Sequence, residues 1–301
     1  MGWLKRLGMI IFTAFLLVAL TGCGGEEDST GLLSLGLTDA PLDGASRVMV
    51  QFTGIEIQPA SGERLTYDFE ESQQIDLLAL NGGGRELLLE SQLLPAGHYT
   101  WIRLKVKAEP GVLDSYLEFA DSNSVYSLYI PSGSETGLKL VRGFYVPAGG
   151  MADFTIDFDL RKSVHAPSDG NEDYFLRPTL RIVDNTEVGS IGGVISPALI
   201  TNLNEPPCTV YIFEGIDVIP DDIDGVDPEP ITVAEVTYNE ETEEYSYLAA
   251  FLNAGDYTIA LTCRASEDDP GDDPFLDDQI SFGEPAQVTV TAGTVIEYDF
   301  E

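Results

Sequence analysis

Apolar and polar residues alternate in short runs along most of this chain, with a period of two. Arg47-Val-Met-Val-Gln-Phe52, Trp101-Ile-Arg-Leu-Lys-Val106, Val125-Tyr-Ser-Leu-Tyr-Ile130 and Ala152-Asp-Phe-Thr-Ile-Asp-Phe-Asp-Leu160 carry the pattern most clearly. Successive side chains of a strand point to opposite faces, so each run predicts a strand with one buried face. Gly, Pro and Asn gather between the runs and mark turns. Only Ile75 to Gln92 has room for a helix, and the glycines at 82–84 would interrupt it. The pattern predicts an all-β protein.

A repeated cadence divides the strands into two sets. Leu94-Pro-Ala-Gly-His-Tyr-Thr100 opens one strand, and Leu252-Asn-Ala-Gly-Asp-Tyr-Thr258 opens another. Each is followed by a second Ala-Gly turn, Val146-Pro-Ala-Gly149 before Phe154 and Val290-Thr-Ala-Gly293 before Ile296. The tyrosine two residues after the first glycine of each set can bury its ring and return its hydroxyl to nearby backbone, as tyrosine corners of sandwich folds do. The reading is two β-sandwich domains in tandem, residues 31–186 and 187–301, joined near Asp184 to Val188.

Ahead of them lies a different pattern. Lys5 and Arg6 precede an apolar run from Met9 to Leu20, which small residues follow. A basic start and a short apolar core are the anatomy of a secretory signal, and the run is shorter than the roughly 20 residues a membrane span needs. Leu20-Thr-Gly-Cys23 resembles the lipobox of bacterial lipoproteins. That resemblance implies a signal peptide over residues 1–22, lipidation at Cys23, and a flexible tether over residues 23–30. Gly24 stands where such lipoproteins carry an inner-membrane retention Asp, which favours the outer membrane, the body facing either the periplasm or the outside.

With Cys23 assigned to lipid, Cys208 and Cys263 remain, an even number in an oxidising compartment, and one disulfide is expected. Without histidines near them they make a poor zinc site.

Charge narrows the partners. The chain carries a formal net charge of −36. Residues 187–301 hold 26 acids against one base, Arg264. Such a field repels nucleic acid and anionic headgroups, so no nucleic-acid partner is expected. It also resembles that of proteins adapted to salty water, with only five lysines in the chain.

Family resemblance adds to this. Gly189-Ser-Ile-Gly-Gly-Val194, Cys208-Thr-Val-Tyr-Ile212 and Asn253-Ala-Gly-Asp-Tyr257 resemble the prealbumin-like modules of carboxypeptidase regulatory domains. Leu37-Thr-Asp-Ala-Pro-Leu-Asp43, Ile75-Asp-Leu-Leu-Ala-Leu80, Leu94-Pro-Ala-Gly97 and Arg177-Pro-Thr-Leu-Arg181 resemble a bacterial lipoprotein family, domain of unknown function 4382. The first implies a prealbumin-like or Ig-like sandwich for residues 187–301. The second implies architecture for residues 31–186 and no chemistry.

Candidate chemistry is sparse. His98 and His165 are the two histidines, and both sit in stretches suited to turns. No nucleophile elbow, metalloprotease motif or phosphate loop occurs, so no catalytic residue and no resident cofactor are assigned. Asp221, Asp222, Asp224, Asp227 and Glu229 surround a glycine turn at Gly225. They are the candidate metal ligands, with calcium as the ion that such hard oxygens suit. They do not follow the spacing of an EF-hand, and solvated acidic loops are the plainer reading. A second acidic cluster runs through Glu267, Asp268, Asp269, Asp272, Asp273, Asp277 and Asp278. Trp101, Arg103, Lys105 and Lys107 share one strand face and could meet an anionic glycan. Asp153, Asp157 and Asp159 share another strand's face, and a charge ladder between these two strands is the favoured expectation.

These readings converge on a lipid-anchored envelope protein acting as a non-catalytic binding or structural module, with a glycan or protein ligand. A polysaccharide hydrolase, or an accessory to one, is the alternative.

Overall fold

The computed structural model describes residues 29–42, 44–120, 124–131, 137–167, 173–200, 208–268 and 280–301. The lipidation candidate Cys23 and most of the second acidic cluster, from Asp269 to Asp278, lie outside them.

The first half contributes β1 (Thr30–Ala40), β2 (Ala45–Pro59), β3 (Leu65–Asp76), β4 (Glu86–Pro95), β5 (Gly97–Lys107), β6 (Tyr116–Phe119) and β7 (Val125–Tyr129). It continues with β8 (Leu138–Leu140), β9 (Phe144–Val146), β10 (Met151–Asp159), the single helical turn α1 (Leu160–Ser163), β11 (Val164–His165), β12 (Tyr174–Leu176) and β13 (Leu180–Asp184). One sheet runs β13-β10-β1-β4. The other runs β11-β12-β7-β6-β2-β5-β8, with β3 also on β2 and β9 also on β5. Leu33, Leu35 and Leu37 of β1 are fully buried, as are Phe52, Ile55 and Ile57 of β2 and Phe158 of β10. Phe52 meets Phe158 edge-on at 6.5 Å between ring centres. Burying each such side chain contributes about 1.5–3 kcal/mol, which is what the alternation in sequence encodes.

The second half contributes β14 (Val188–Ile195), β15 (Thr209–Glu214), β16 (Thr232–Glu235), β17 (Thr237–Asn239), β18 (Glu244–Asn253), β19 (Gly255–Thr262), β20 (Ala286–Val290) and β21 (Val295–Glu297). Its sheets run β17-β18-β14-β21 and β16-β15-β19-β20. Ile191, Val210, Ile212, Leu252 and Ile259 fill the space between them. The fold is all-β, two sandwiches in tandem.

The repeated cadence is a repeated frame. The Tyr99 hydroxyl donates to the carbonyl of Pro95 at 2.6 Å, and that of Tyr257 to Asn253 at 2.7 Å. Both rings are buried. The Ala96 amide donates to Ser29 and the Ala254 amide to Glu187. Gly149 donates to Thr30 at 2.7 Å, and Gly293 to Val188 at 2.8 Å. In both halves the opening strand then pairs parallel with the strand after the second Ala-Gly turn, β1 with β10 and β14 with β21. Gly31 and Gly189 occupy equivalent places in this frame. A Cβ on Gly31 would lie 2.2 Å from the Pro147 carbonyl oxygen, and one on Gly189 2.4 Å from that of Thr291. Only glycine lets the opening strand pass so close.

The one stretch with room for a helix forms none, in keeping with the all-β reading, and one expectation, the charge ladder, needs correction. The stretch Ile75 to Gln92 is not a helix: β3 ends at Asp76, a 3-10 turn covers Leu77–Leu80, and β4 begins at Glu86. Leu77 and Leu80 are buried in the core, so tertiary packing uses the apolar spacing that looked helical. The charge ladder between β5 and β10 does not form, because the two strands lie in opposite sheets. Asp153 pairs with Arg85 at 2.5 Å and Asp157 with Arg181 at 2.5 Å. Arg103 pairs instead with Glu56 of β2 at 2.9 Å, and Lys105 with Asp68 of β3.

Candidate functional site

The most elaborate constellation of charge lies where the sandwiches meet. It begins at the end of β10, where the Asp159 carboxylate accepts the Lys162 amide at 3.1 Å and caps the turn α1. A side-chain oxygen at this position satisfies an amide that the short turn leaves open. The turn aims Arg161 and Lys162 at the second sandwich.

Arg161 enters a pocket prepared by β15. That strand is buried on both faces: Val210 and Ile212 point to the sandwich core, while Tyr211 and Phe213 form a second cluster with Ile223, Val233 and Ala265. Phe282 packs edge-on against Tyr211 at 5.2 Å. The Arg161 guanidinium lies 5.7 Å from the centre of the Tyr211 ring and donates to its hydroxyl. That hydroxyl donates to Asp268 Oδ2. Arg161 Nη1 itself lies 3.5 Å from the same oxygen, and Asp268 Oδ1 accepts the Ile223 amide at 3.2 Å. The Arg161 and Asp268 side chains are 3% and 0% exposed. Each charge is therefore paired where solvation is lost, the condition under which buried ions persist.

Lys162 makes a second link. Its Nζ lies 2.7 Å from Glu229 Oε2 and donates to the Pro230 carbonyl at 2.9 Å. Glu229 Oε1 accepts the amides of Asp224 at 3.0 Å and Gly225 at 2.6 Å. Asn81 donates to Glu235 at 3.1 Å, a third contact from first sandwich to second. Beside these links opens a cleft of about 590 Å³, walled by Asp157, Arg181 and Leu180 on one side and Val218, Pro228 and Ile231 on the other.

The candidate calcium loop is thus drawn into the joint. Glu229 spends both oxygens on Lys162 and backbone amides, and Asp224 also accepts the Val226 amide at 2.8 Å. Asp222 is buried. Burial, then the neighbouring Asp221 and Asp224, push its carboxyl up to about 6. Among the described residues no three His, Cys, Asp or Glu side chains are grouped to hold a metal ion. Burial also raises the Asp159 carboxyl above its ordinary range, opposed by Lys162.

The remaining sequence candidates are spread through the fold. Cys208 and Cys263 form the expected disulfide. His98 lies against Tyr145 at 4.8 Å, and His165 stacks on Phe175 at 5.1 Å. Burial and the nearby Arg177 lower the His165 value. The two histidines sit on separate strands, and each packs against an aromatic ring.

Arg161 and Tyr211 escaped the sequence reading. Their signals were present: Val210-Tyr-Ile-Phe213 is a continuous apolar run, which reads as a strand buried on both faces. Arg161-Lys162 is one of two adjacent basic pairs, with Lys5-Arg6.

No curated protein matches the chain. Among solved structures it is similar to the Bacillus anthracis TIE protein, at 11% identity and a TM-score of 0.22, covering 91% of this chain and 34% of that one. A leucine-rich repeat protein from Bacteroides thetaiotaomicron is similar at 15% identity and a TM-score of 0.21, covering 90% of this chain and 26% of that one. The chain thus spans about a third and a quarter of those two proteins. GBS52, the minor pilin of Streptococcus agalactiae, is similar at 12% identity and a TM-score of 0.21, covering 89% of this chain and 94% of that one. Likeness at this level carries no functional argument. The family Domain of unknown function (DUF4382) matches residues 30–178, which takes in β1 through β12 of the first sandwich.

Proposed function

We propose that this chain is a lipid-anchored envelope protein whose two sandwiches act together as a non-catalytic binding or structural module. The observation that carries the reading is the Arg161–Tyr211–Asp268 contact. It commits charges of the cleft region to joining the sandwiches in a fixed geometry, which supports a module that acts as one unit. The sequence around Cys23 supports the anchor, and Gly24 supports the outer membrane. The entry point supports a standing arrangement. The tether leads into Thr30, at the end of β1 opposite Ala40 and Asp159, near which the second sandwich docks. Eleven residues of strand place those ends about 33 Å apart.

Fractionation tests the anchor. The wild-type chain should partition into the detergent phase, and Cys23→Ala should either release the protein or leave it with an uncleaved signal. A Cys23→Ala chain still processed at residue 23 and still in the lipid fraction would overturn it. Release of reducing ends from a polysaccharide by the purified protein would overturn the non-catalytic part.

A further inference from the structure

We propose that the outer face of β5 and its neighbours binds an anionic polysaccharide. The inference rests on the binding reading above and names its site and ligand class.

Trp101, Arg103, Lys105 and Lys107 alternate with the buried Ile102, Leu104 and Val106, so they line the sheet's outward face. Lys139 of β8 stands directly opposite Arg103. Like charges directly opposite in a sheet destabilise it. Both cations are drawn over one ring: Arg103 lies 5.2 Å and Lys139 4.5 Å from the centre of Trp101. Arg64 adds a fifth cation, 3.3 Å from Glu56, which already pairs with Arg103. Among the described residues, Glu56 and Asp68 are the carboxylates that three of these five cations, Arg64, Arg103 and Lys105, meet. Among the described residues Lys107 and Lys139 have no carboxylate partner, and both are exposed.

This face gathers five of the chain's 15 bases in a protein of net charge −36. At physiological salt, screening over about 8 Å separates it from the distant acidic loops. An anion lying across Lys139, Arg103 and Lys107 would relieve their mutual repulsion. The sheet presents these groups along an extended row beside the exposed Val141, which is 78% accessible. A chain of uronate or sulfated sugars matches this shape, with repeated charges along a line for the cations gathered at Trp101 and apolar ring faces for Val141.

The test uses the lipidated full-length protein in neutral detergent, with heparin, alginate and neutral dextran as probes. Heparin and alginate should bind at about 50 mM salt, weaken steeply as salt rises, and outcompete dextran. Lys107→Glu with Lys139→Glu should weaken binding at least about tenfold without moving the unfolding temperature. Should that pair unfold the protein, Lys139→Gln alone should still weaken binding about threefold. Wild type that binds neither polyanion, or variants that bind as wild type does, would overturn the proposal. So would tighter binding to anionic vesicles than to either polysaccharide. Failure here with intact lipid partitioning sinks the glycan site alone, whereas a soluble wild-type chain that still binds sinks the anchor alone.

Discussion

Arg161 and Asp268, 107 residues apart in sequence, meet at 3.5 Å across the joint between the sandwiches, with both side chains removed from solvent. Removing one member of a buried pair leaves the other charged and unsolvated, which costs about 3–5 kcal/mol. Arg161→Ala or Asp268→Asn should therefore loosen the joint more than either core. Scanning calorimetry should show one transition for wild type and two separated transitions for either variant. A single, unshifted transition in both variants would mean that the pair does not hold the sandwiches together.

Tyr99→Phe and Tyr257→Phe remove one hydroxyl each and keep the buried ring. Each should lower stability by about 1–1.5 kcal/mol, the usual worth of a buried hydrogen bond. Their effects should add, because the sites are in different cores. Urea unfolding of the two single variants and the double variant measures this, and a neutral Tyr257→Phe would break the equivalence of the two frames.

Asp222 makes stability depend on pH in a defined direction. Its folded value of about 6 exceeds the ordinary 3.8, so the folded state holds the proton more tightly than the unfolded one. That contribution is complete below about pH 4 and is lost as pH rises through about 6. Asp222→Asn should accordingly stabilise the protein by about 1–3 kcal/mol at about pH 8 and by almost nothing at about pH 4. Chemical unfolding at both pH values decides it. An equal gain at both would trace the effect to packing and not to charge.

Divalent ions test the acidic loop. Because Glu229 is taken up by Lys162, Asp224 and Gly225, Ca²⁺ and Mg²⁺ at matched ionic strength should raise the unfolding temperature equally, through screening of the acidic second sandwich. A larger rise with Ca²⁺, abolished by Asp222→Asn with Asp224→Asn, would establish a calcium site instead.

Much of the architecture could be read from residues. Alternation located the strands, and the Ala-Gly-x-Tyr-Thr cadence located the frame that the sandwiches share. The Cys208–Cys263 bridge followed from counting. Strand order did not follow, because alternation shows which face a strand buries and not which strand lies beside it. That is why Asp153 and Asp157 found Arg85 and Arg181 instead of the cations of β5. The joint was hidden for a related reason. An arginine at the end of a strand looks solvated until a second sandwich brings Tyr211 and Asp268 around it.

The entry of the chain at Thr30 has a mechanical consequence. β1 runs between β4 and β10, bonded to both. If the chain is anchored through residues 23–30 as proposed, a pull there, resisted by a ligand held on the protein, acts along the axis of that strand. The hydrogen bonds on its two flanks then bear the load in shear, all at once, and cannot be opened one after another like a zipper. The close passage of Gly31 beneath the Pro147 carbonyl keeps the strand seated where the force enters.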